Sequence, residues 1–210
     1  MFVCNRMKEK ENYIERQKSI FGDTTWFTYR YEVNGMTYET SASSLDICRK
    51  ARDKWMKKMS AAFTGHRTIR TNRADLSVSL SEEIRFCYGN GIRFFYVGCA
   101  VGFDMMAAYA VLEEKKQYPD IVLVAVVPYA GQDVYFNQVD KQRYAAILCQ
   151  ADKVIVLSER YYPQCYVHRN DYMLSRACRL IAYWDGRAAG GTSYTFGKAL
   201  KRNMVIRNLF

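Results

Sequence analysis

Residues 98-GCAVGFDMMAAYAVL-112 join a glycine-bearing loop to a helix-forming segment. The residues just ahead of them, 93-RFFYVG-98, are apolar and aromatic, which is typical of a β-strand. Two glycines and Asp104 lie between this strand and 105-MMAAYAVL-112, whose residues favour a helix. A strand, a short glycine-bearing loop and a helix in direct succession form one unit of an alternating β/α fold.

The same alternation extends over the chain from residue 60 onward. Strands are predicted at 60-SAAFT-64, 93-RFFYVG-98, 121-IVLVAVV-127, 153-KVIVL-157, 179-RLIAYW-184 and 204-MVIRN-208. Helices are predicted near residues 76–90, 103–117, 138–149, 169–177 and 193–202. Nearly uninterrupted apolar strands are expected where helices cover both faces of a sheet. We therefore predict an α/β fold with a doubly wound, mainly parallel, Rossmann-like sheet and helices on both faces.

The first 59 residues have a different pattern and are predicted to form a small appendage to a main domain at 60–210. Residues 24-TTWFTYRYEV-33 are rich in strand-forming types, and Asn34-Gly35 is a strong hairpin signal. The return strand is 36-MTYET-40, and a helix is predicted at 45-LDICRKARDKWMKK-58. The appendage is thus expected to be a β-hairpin followed by a helix.

The net charge of the 210 residues is +10, from 31 Lys and Arg against 21 Asp and Glu. The excess is spread along the chain, so it permits binding to nucleic acid without requiring it. Anionic small molecules, above all phosphates, fit the same excess. The apolar runs are far too short to span a bilayer, and the opening segment becomes highly charged by residue 8. We expect a cytoplasmic protein that does not interact with membranes.

Cysteine and histidine usage argues against a metal centre. The seven cysteines are an odd number without a CxxC pair, which predicts reduced and mostly buried thiols instead of a zinc site or a disulfide framework. The chain has only two histidines, His66 and His168, so a histidine-based metal site is not expected.

The loops that follow the strands are the candidate ligand-binding segments, because ligands of open parallel sheets bind beyond the carboxyl ends of the strands. After the first strand of the main domain comes Thr64-Gly65-His66-Arg67. Here Gly65 allows close approach to the backbone, and Arg67 offers a planar donor fork for phosphate. The alternative is a tight turn with exposed polar residues. His66 is either a general acid/base or a surface imidazole.

Two predicted helix starts can bind an anion through free N–H groups and the helix dipole. One follows the loop at residues 98–104, where Asp104 either caps the helix or contacts a ribose hydroxyl. The other follows Gly190-Gly191-Thr192, where Thr192 or Ser193 is the expected N-cap. Together these starts favour a phosphate pocket of nucleotide size.

A fourth loop, 158-SERYYPQCYVHRNDYM-173, is rich in tyrosine. Tyr161, Tyr162 and Tyr166 either stack on a base or pack against the surface of the protein. Arg169 and Asn170 can add polar contacts to a ligand.

Several short motifs occur in one order along the main domain. They are Thr64 to Arg67, Gly98 with Gly102 and Asp104, Ala107-Ala108, Tyr118-Pro119, Pro128, Ala151-Asp152, Arg169-Asn170 with Met173, and Gly190 to Thr192. This order resembles the YpsA-like branch of the SLOG superfamily, which groups the DprA DNA-processing proteins with the LOG phosphoribohydrolases. The resemblance covers about residues 60–203 and does not extend to residues 1–59.

The resemblance implies a Rossmann-like domain over residues 60–210 that binds a nucleotide or a nucleotide-derived ligand. The ligand-binding residues expected are Thr64, Gly65, His66, Arg67, Gly98, Gly102, Asp104, Ser158, Arg169, Asn170, Gly190, Gly191 and Thr192. LOG enzymes carry a PGGxGTxxE motif whose glutamate serves hydrolysis. The matching stretch here, 189-AGGTSYTFG-197, lacks both the leading proline and the glutamate.

Three functions are therefore compared. The first is binding of a phosphate-bearing nucleotide ligand, as in a sensor, with no cofactor required and no metal. The second is an N-glycosidic hydrolase acting on a nucleoside monophosphate, with Asp104 and His66 as candidate catalytic groups. The third is a DprA-like accessory protein that binds nucleic acid, with Arg67, Arg70, Arg73 and Arg169 assembling a basic track. We also expect a homodimer.

Overall fold

The computed structural model describes residues 7–19 and 23–210, which form two compact units, residues 7–58 and 59–210. The first unit contains the strands β1 (Glu9–Ser19), β2 (Asp23–Val33) and β3 (Met36–Ala42), followed by the helix α1 (Leu45–Lys58). The three strands form one antiparallel sheet in the order β1-β2-β3. Asn34 and Gly35 both have positive φ angles, of 46° and 82°, as the predicted tight turn requires.

The sequence patterns did not predict β1, which pairs with β2 along its whole length. The strand has the sequence EKENYIERQKS and lacks an alternation of apolar and polar residues. Its charged residues instead contact the helix, because Glu11 forms ion pairs with Arg49 and Arg52 of α1. The appendage is therefore a three-stranded sheet with a helix, larger than the expected hairpin and helix.

The second unit alternates strands and helices throughout. Its elements are β4 (Ser60–Gly65), α2 (Arg73–Gly89), β5 (Phe94–Val97), α3 (Phe103–Gln117), β6 (Val122–Val127), α4 (Gln138–Gln150), β7 (Lys153–Val156), α5 (Cys165–Arg176), β8 (Arg179–Tyr183), α6 (Gly190–Lys201) and β9 (Val205–Asn208). The six strands form a parallel sheet in the order β7-β6-β5-β4-β8-β9. The predicted fold class is confirmed.

Every residue of the central strands β5 and β6 is buried, because helices cover both faces of the sheet there. The core is rich in aromatic rings, and Phe103 of α3 stacks on Tyr183 of β8 with ring centroids 5.6 Å apart. Of the six cysteines that the structure describes, Cys48, Cys87, Cys99 and Cys165 are buried. No helix in the described part of the chain is long and apolar enough to cross a membrane.

The strand order creates a switch point between β4 and β8. From β4 the chain adds β5, β6 and β7 on one side, and it then crosses over to place β8 and β9 on the other side. At such a point, neighbouring loops diverge beyond the carboxyl ends of the strands and leave a crevice. The loops after β4, β5 and β8 are therefore the ones that can share a ligand.

Three helices begin earlier than predicted, and α2 begins at Arg73, three residues before the expected start. The helix α5 begins at Cys165, four residues before the expected start. The helix α6 begins at Gly190, with Ala189 at the N-cap position instead of Thr192 or Ser193, and no side chain caps it. Gly190 has a φ of 87°, so a glycine, and not a capping side chain, makes the entry into this helix.

Candidate anion-binding site

A cavity of about 360 Å³ lies at the switch point. It is lined by Thr64, Gly65, His66, Arg67, Ala100, Asp104, Tyr166, Arg169, Asn170, Ala189, Gly190, Gly191 and Thr192. Ten of the thirteen predicted ligand-binding residues are thus brought together from loops after β4, β5 and β8 and from α5. Their contact with a ligand stays a prediction.

Gly98 and Gly102 do not line the cavity but shape its wall. A Cβ atom at Gly98 would overlap Nη1 of Arg169, so only glycine leaves room for this guanidinium. Gly102 has a φ of 94°, and a Cβ atom there would overlap the backbone carbonyl of Arg67. The two glycines therefore allow the β5–α3 loop to pack tightly against Arg169 and the β4–α2 loop.

Ser158 lies outside the cavity, in contrast to the expectation for this residue. Its hydroxyl donates to the carbonyl of Arg160 at 2.8 Å and accepts the Arg160 N–H at 3.3 Å. This local turn follows β7, an edge strand that is separated from β4 by β5 and β6. The distance across the sheet explains why Ser158 is not brought to the switch point.

Arg169 and Asp104 form the buried floor of the cavity. Nη1 of Arg169 lies 3.5 Å from Oδ2 of Asp104, and the two side chains are only 6% and 7% exposed. Oδ2 also accepts the Ala100 N–H at 3.4 Å, so Asp104 does not cap α3. Burial raises the pKa of Asp104, although Arg169 acts against this shift. The carboxyl group is therefore easier to protonate than an exposed aspartate.

The floor has an unused hydrogen-bond donor. Nε of Arg169 is buried and has no hydrogen-bond partner among the described residues. Buried donors are normally paired, so this guanidinium has the capacity for one more acceptor. An anion in the cavity could supply it.

The start of α6 adds backbone donors. Because no side chain caps this helix, its first N–H groups remain free for an anion. The helix start is held in place by Asn170, whose Nδ2 donates to Oγ1 of Thr195 at 2.8 Å. This hydroxyl in turn donates to the carbonyl of Gly191 at 2.7 Å.

His66 is held at the rim of the cavity by Asp185, a residue after β8 that the sequence patterns did not single out. Its Nε2 lies 2.9 Å from Oδ1 of Asp185 and 3.1 Å from the backbone nitrogen of the same residue. Burial acts against ionisation of Asp185, but the N–H of Arg187 and the charges of His66 and Arg187 outweigh it and lower the pKa. Asp185 is therefore a carboxylate that fixes the imidazole.

A second cavity, of about 270 Å³, adjoins the first and shares His66, Arg67 and Ala189 with it. Arg70 and Arg187 line it as well, and both lie close to Asp185, with nitrogen–oxygen distances of 3.8 and 3.3 Å. We call this space the arginine cavity. The backbone N–H groups of Arg70 and Thr71 donate to the hydroxyl of Tyr183, which fixes the β4–α2 loop on β8.

The expected basic track is divided between separate cavities. Arg169 lies in the first cavity and Arg70 in the arginine cavity, whereas Arg73 lines a wider groove of about 680 Å³ between α2, α3 and α4. Arg67 contributes to all three. The wider groove contains none of the residues that follow β8, so we assign the candidate site to the switch point.

The same rule that pointed to the other loops could have identified Asp185 and Arg187. Both follow the carboxyl end of β8 directly, and their charge is visible in 185-DGR-187. Ala100 and Ala189 carry no chemical signal, because they line the cavity through position alone. Among the described residues, no group of three or more His, Cys, Asp or Glu side chains is arranged to hold a metal ion.

Comparisons with known proteins agree with the fold. The family model for YpsA, described as the YspA SLOG family, matches residues 68–206. The chain is similar to the UPF0398 protein YpsA of Bacillus subtilis, with 26% identity over 53% of this chain and 63% of that protein. It therefore spans less than two thirds of the length of this relative. A UPF0398 protein of Bacillus velezensis is 23% identical over 59% of this chain and 69% of its own length.

A solved structure has a similar fold. It is DNA processing protein A from Helicobacter pylori, with 12% sequence identity and a TM-score of 0.51, over 95% of this chain and 80% of that one. That Helicobacter pylori protein has a single-stranded DNA binding mode. The expected homodimer and cytoplasmic location of the present chain stay predictions.

Proposed function

This chain belongs to the YspA SLOG family, and we propose that it binds a nucleotide or nucleotide-derived ligand whose phosphate occupies the cavity at the switch point. The observation that carries the proposal is Arg169, a buried guanidinium beside the free helix start of α6 with an unused Nε donor. A phosphate oxygen would satisfy this donor in a charge-assisted hydrogen bond.

The electrostatics of the cavity support an anion. Arg67 and Arg169 supply two positive charges to the cavity. The start of α6, which is the positive end of its helix dipole, also lines the cavity. Asp104 opposes an anion only when it is ionised, and burial raises its pKa. A neutral carboxyl group could even donate a hydrogen bond to a phosphate oxygen.

The composition of the site favours binding over hydrolysis. Cleavage of an N-glycosidic bond normally needs one carboxylate to stabilise an oxocarbenium-like transition state and one acid to help the base leave. The start of α6 carries no glutamate, and Asp104 is engaged by Arg169 and by the Ala100 N–H. We therefore propose that the protein acts as a nucleotide-binding sensor without turnover.

The test is nucleotide binding by Arg67→Ala, measured by calorimetry with a panel of nucleoside monophosphates. Loss of a charge-assisted bond to phosphate should weaken binding by about 1.5–3 kcal/mol, and the thermal midpoint should hardly change. Arg73→Ala is the matched control, because Arg73 does not line the cavity. Equal affinities of the parent and Arg67→Ala would refute the proposal, and release of free base from the recovered nucleotide would favour the hydrolase.

Nucleic acid is a second candidate ligand, favoured by the arginine cavity. Arg67, Arg70 and Arg187 surround a space next to the proposed phosphate site, where a second phosphate of a strand could bind. The single-stranded DNA binding of the similar Helicobacter pylori protein supports this candidate. Binding of a strand would weaken steeply with salt, whereas binding of one mononucleotide would weaken much less.

A further inference from the structure

Three tyrosines form a connected cluster beside the cavity. Tyr129 follows β6 and is only 8% exposed, whereas Tyr161 in the loop after β7 is 62% exposed. The ring of Tyr129 makes an edge contact with Tyr161, at a centroid distance of 5.4 Å and an angle of 80°. It makes a second edge contact with Tyr166, at 6.1 Å and 82°. Tyr166 lines the cavity itself.

These contacts hold an exposed ring in a defined position. Edge-to-face packing on the buried ring of Tyr129 restrains Tyr161 although most of its surface faces solvent. A hydrogen bond with Tyr166 fixes the base of the cluster, and together with burial it raises the pKa of Tyr129 to about 12. A restrained aromatic ring with an open face is what a nucleobase needs for stacking, because little conformational entropy is lost on binding.

The sheet order places the cluster on one side of the cavity and the arginine cavity on the other. Tyr129 and Tyr161 follow β6 and β7, the first cavity is lined from the loops after β5, β4 and β8, and the arginine cavity from the loops after β4 and β8. Because the strands are parallel, all these loops lie along one edge of the sheet. Along this edge, from β7 towards β8, the aromatic rings come first, the proposed phosphate site second and the exposed arginines last.

We propose that Tyr161 and Tyr166, supported by Tyr129, form a base-stacking platform, and that the ligand is a single-stranded nucleic acid lying along the carboxyl edge of the sheet. One phosphate occupies the cavity with Arg169, the base next to it stacks on Tyr166, and the following base stacks on Tyr161. The strand continues in the other direction past Arg70 and Arg187. This inference rests on the proposed phosphate site.

The test compares thymidine monophosphate with a single-stranded thymidylate tetramer. Tyr161→Ala should leave the affinity for the monophosphate unchanged, because Tyr161 does not line the cavity. It should weaken binding of the tetramer about 5- to 150-fold, the effect of losing one base–aromatic stack. Tyr161→Phe keeps the ring and should bind both probes as the parent does. Tyr194→Ala, a partly exposed tyrosine on α6, controls for loss of a surface aromatic residue.

The outcomes separate this inference from the proposed function. Equal binding of the tetramer by the parent and Tyr161→Ala overturns the platform, even where the monophosphate binds. Tetramer binding that depends on Tyr161 without any monophosphate binding supports the platform and contradicts the mononucleotide function. Failure of both probes to bind the parent overturns both proposals, and the thermal midpoint of each variant shows that it is folded.

Discussion

Asp104 and Asp185 have equally shielded side chains, each 7% exposed, yet their pKa values are shifted in opposite directions. Asp104 has one cation at 3.5 Å and one backbone N–H at 3.4 Å, and burial dominates. Asp185 accepts the Arg187 N–H at 3.2 Å and lies close to His66, Arg70 and Arg187. The pKa of a carboxyl group at this site therefore depends on the donors and cations around it as well as on burial.

The difference matters for an anionic ligand. At the floor, a carboxyl group with a raised pKa can become neutral and so tolerate a phosphate beside it. At the rim, an ionised carboxylate partly neutralises Arg70 and Arg187 and holds the imidazole of His66. Under the proposed function, the floor would therefore receive the negative charge of the ligand, and the rim would position the groups around it.

The largest effect is expected from removing the cation at the floor. Arg169→Met should lower the free energy of unfolding by about 3 kcal/mol, at the low end for breaking a buried ion pair, because Asp104 can take up a proton. Urea unfolding measures this, and the double variant with Asp104→Leu should regain part of the loss. Arg143→Met, with a 54% exposed side chain, should change stability by no more than about 0.5 kcal/mol. If Arg169→Met also lost no more than about 0.5 kcal/mol of stability, Arg169 and Asp104 would not form a stabilising buried ion pair.

A medium effect is expected on the pH dependence of anion binding. Sulfate is a suitable probe because it does not titrate near neutral pH. Since the pKa of Asp104 is raised, sulfate affinity of the parent should fall as pH rises through that pKa, by at most about tenfold per pH unit for one proton. Asp104→Asn stays neutral and should lose this part of the decline, whereas all other titrating groups are common to both proteins. Superimposable pH profiles would show that Asp104 does not sense the anion.

The smallest effect is expected at the rim. Because the pKa of Asp185 is lowered on folding, its contribution to stability is present above the pKa of the unfolded chain, about 3.9, and is lost as pH falls through the folded value. Asp185→Asn should be less stable than the parent near neutral pH, and the difference should shrink in acid. Denaturation between pH 3 and 7 measures this. A stability difference of the same size at pH 3 and pH 7 would contradict this role of Asp185.

The sequence predicted the sheet well because apolar runs between glycine-bearing loops are a local signal. All six parallel strands and the residues of the β4 and α6 loops were found in this way. The strand β1 was missed because its stability comes from pairing with β2 and from Glu11, which are not local features. The partnership of His66 with Asp185 joins residues 119 positions apart, and no spacing rule connects them. The role of Asp104 was left open between a cap and a ribose contact, because only the packed structure shows Arg169 beside it.

The hydrogen bonds between the β4–α2 loop and Tyr183 have a consequence for folding kinetics. The backbone N–H groups of Arg70 and Thr71 donate to the hydroxyl of Tyr183, more than 110 residues further along the chain. Tyr183 lies on β8, the fifth strand of the parallel sheet in chain order. Such distant contacts form late, since the chain between them must first be ordered. Any intermediate that lacks β8 therefore has an incomplete cavity at the switch point. A ligand of this cavity would bind only chains that have finished folding, and would leave partly folded ones for chaperones and proteases.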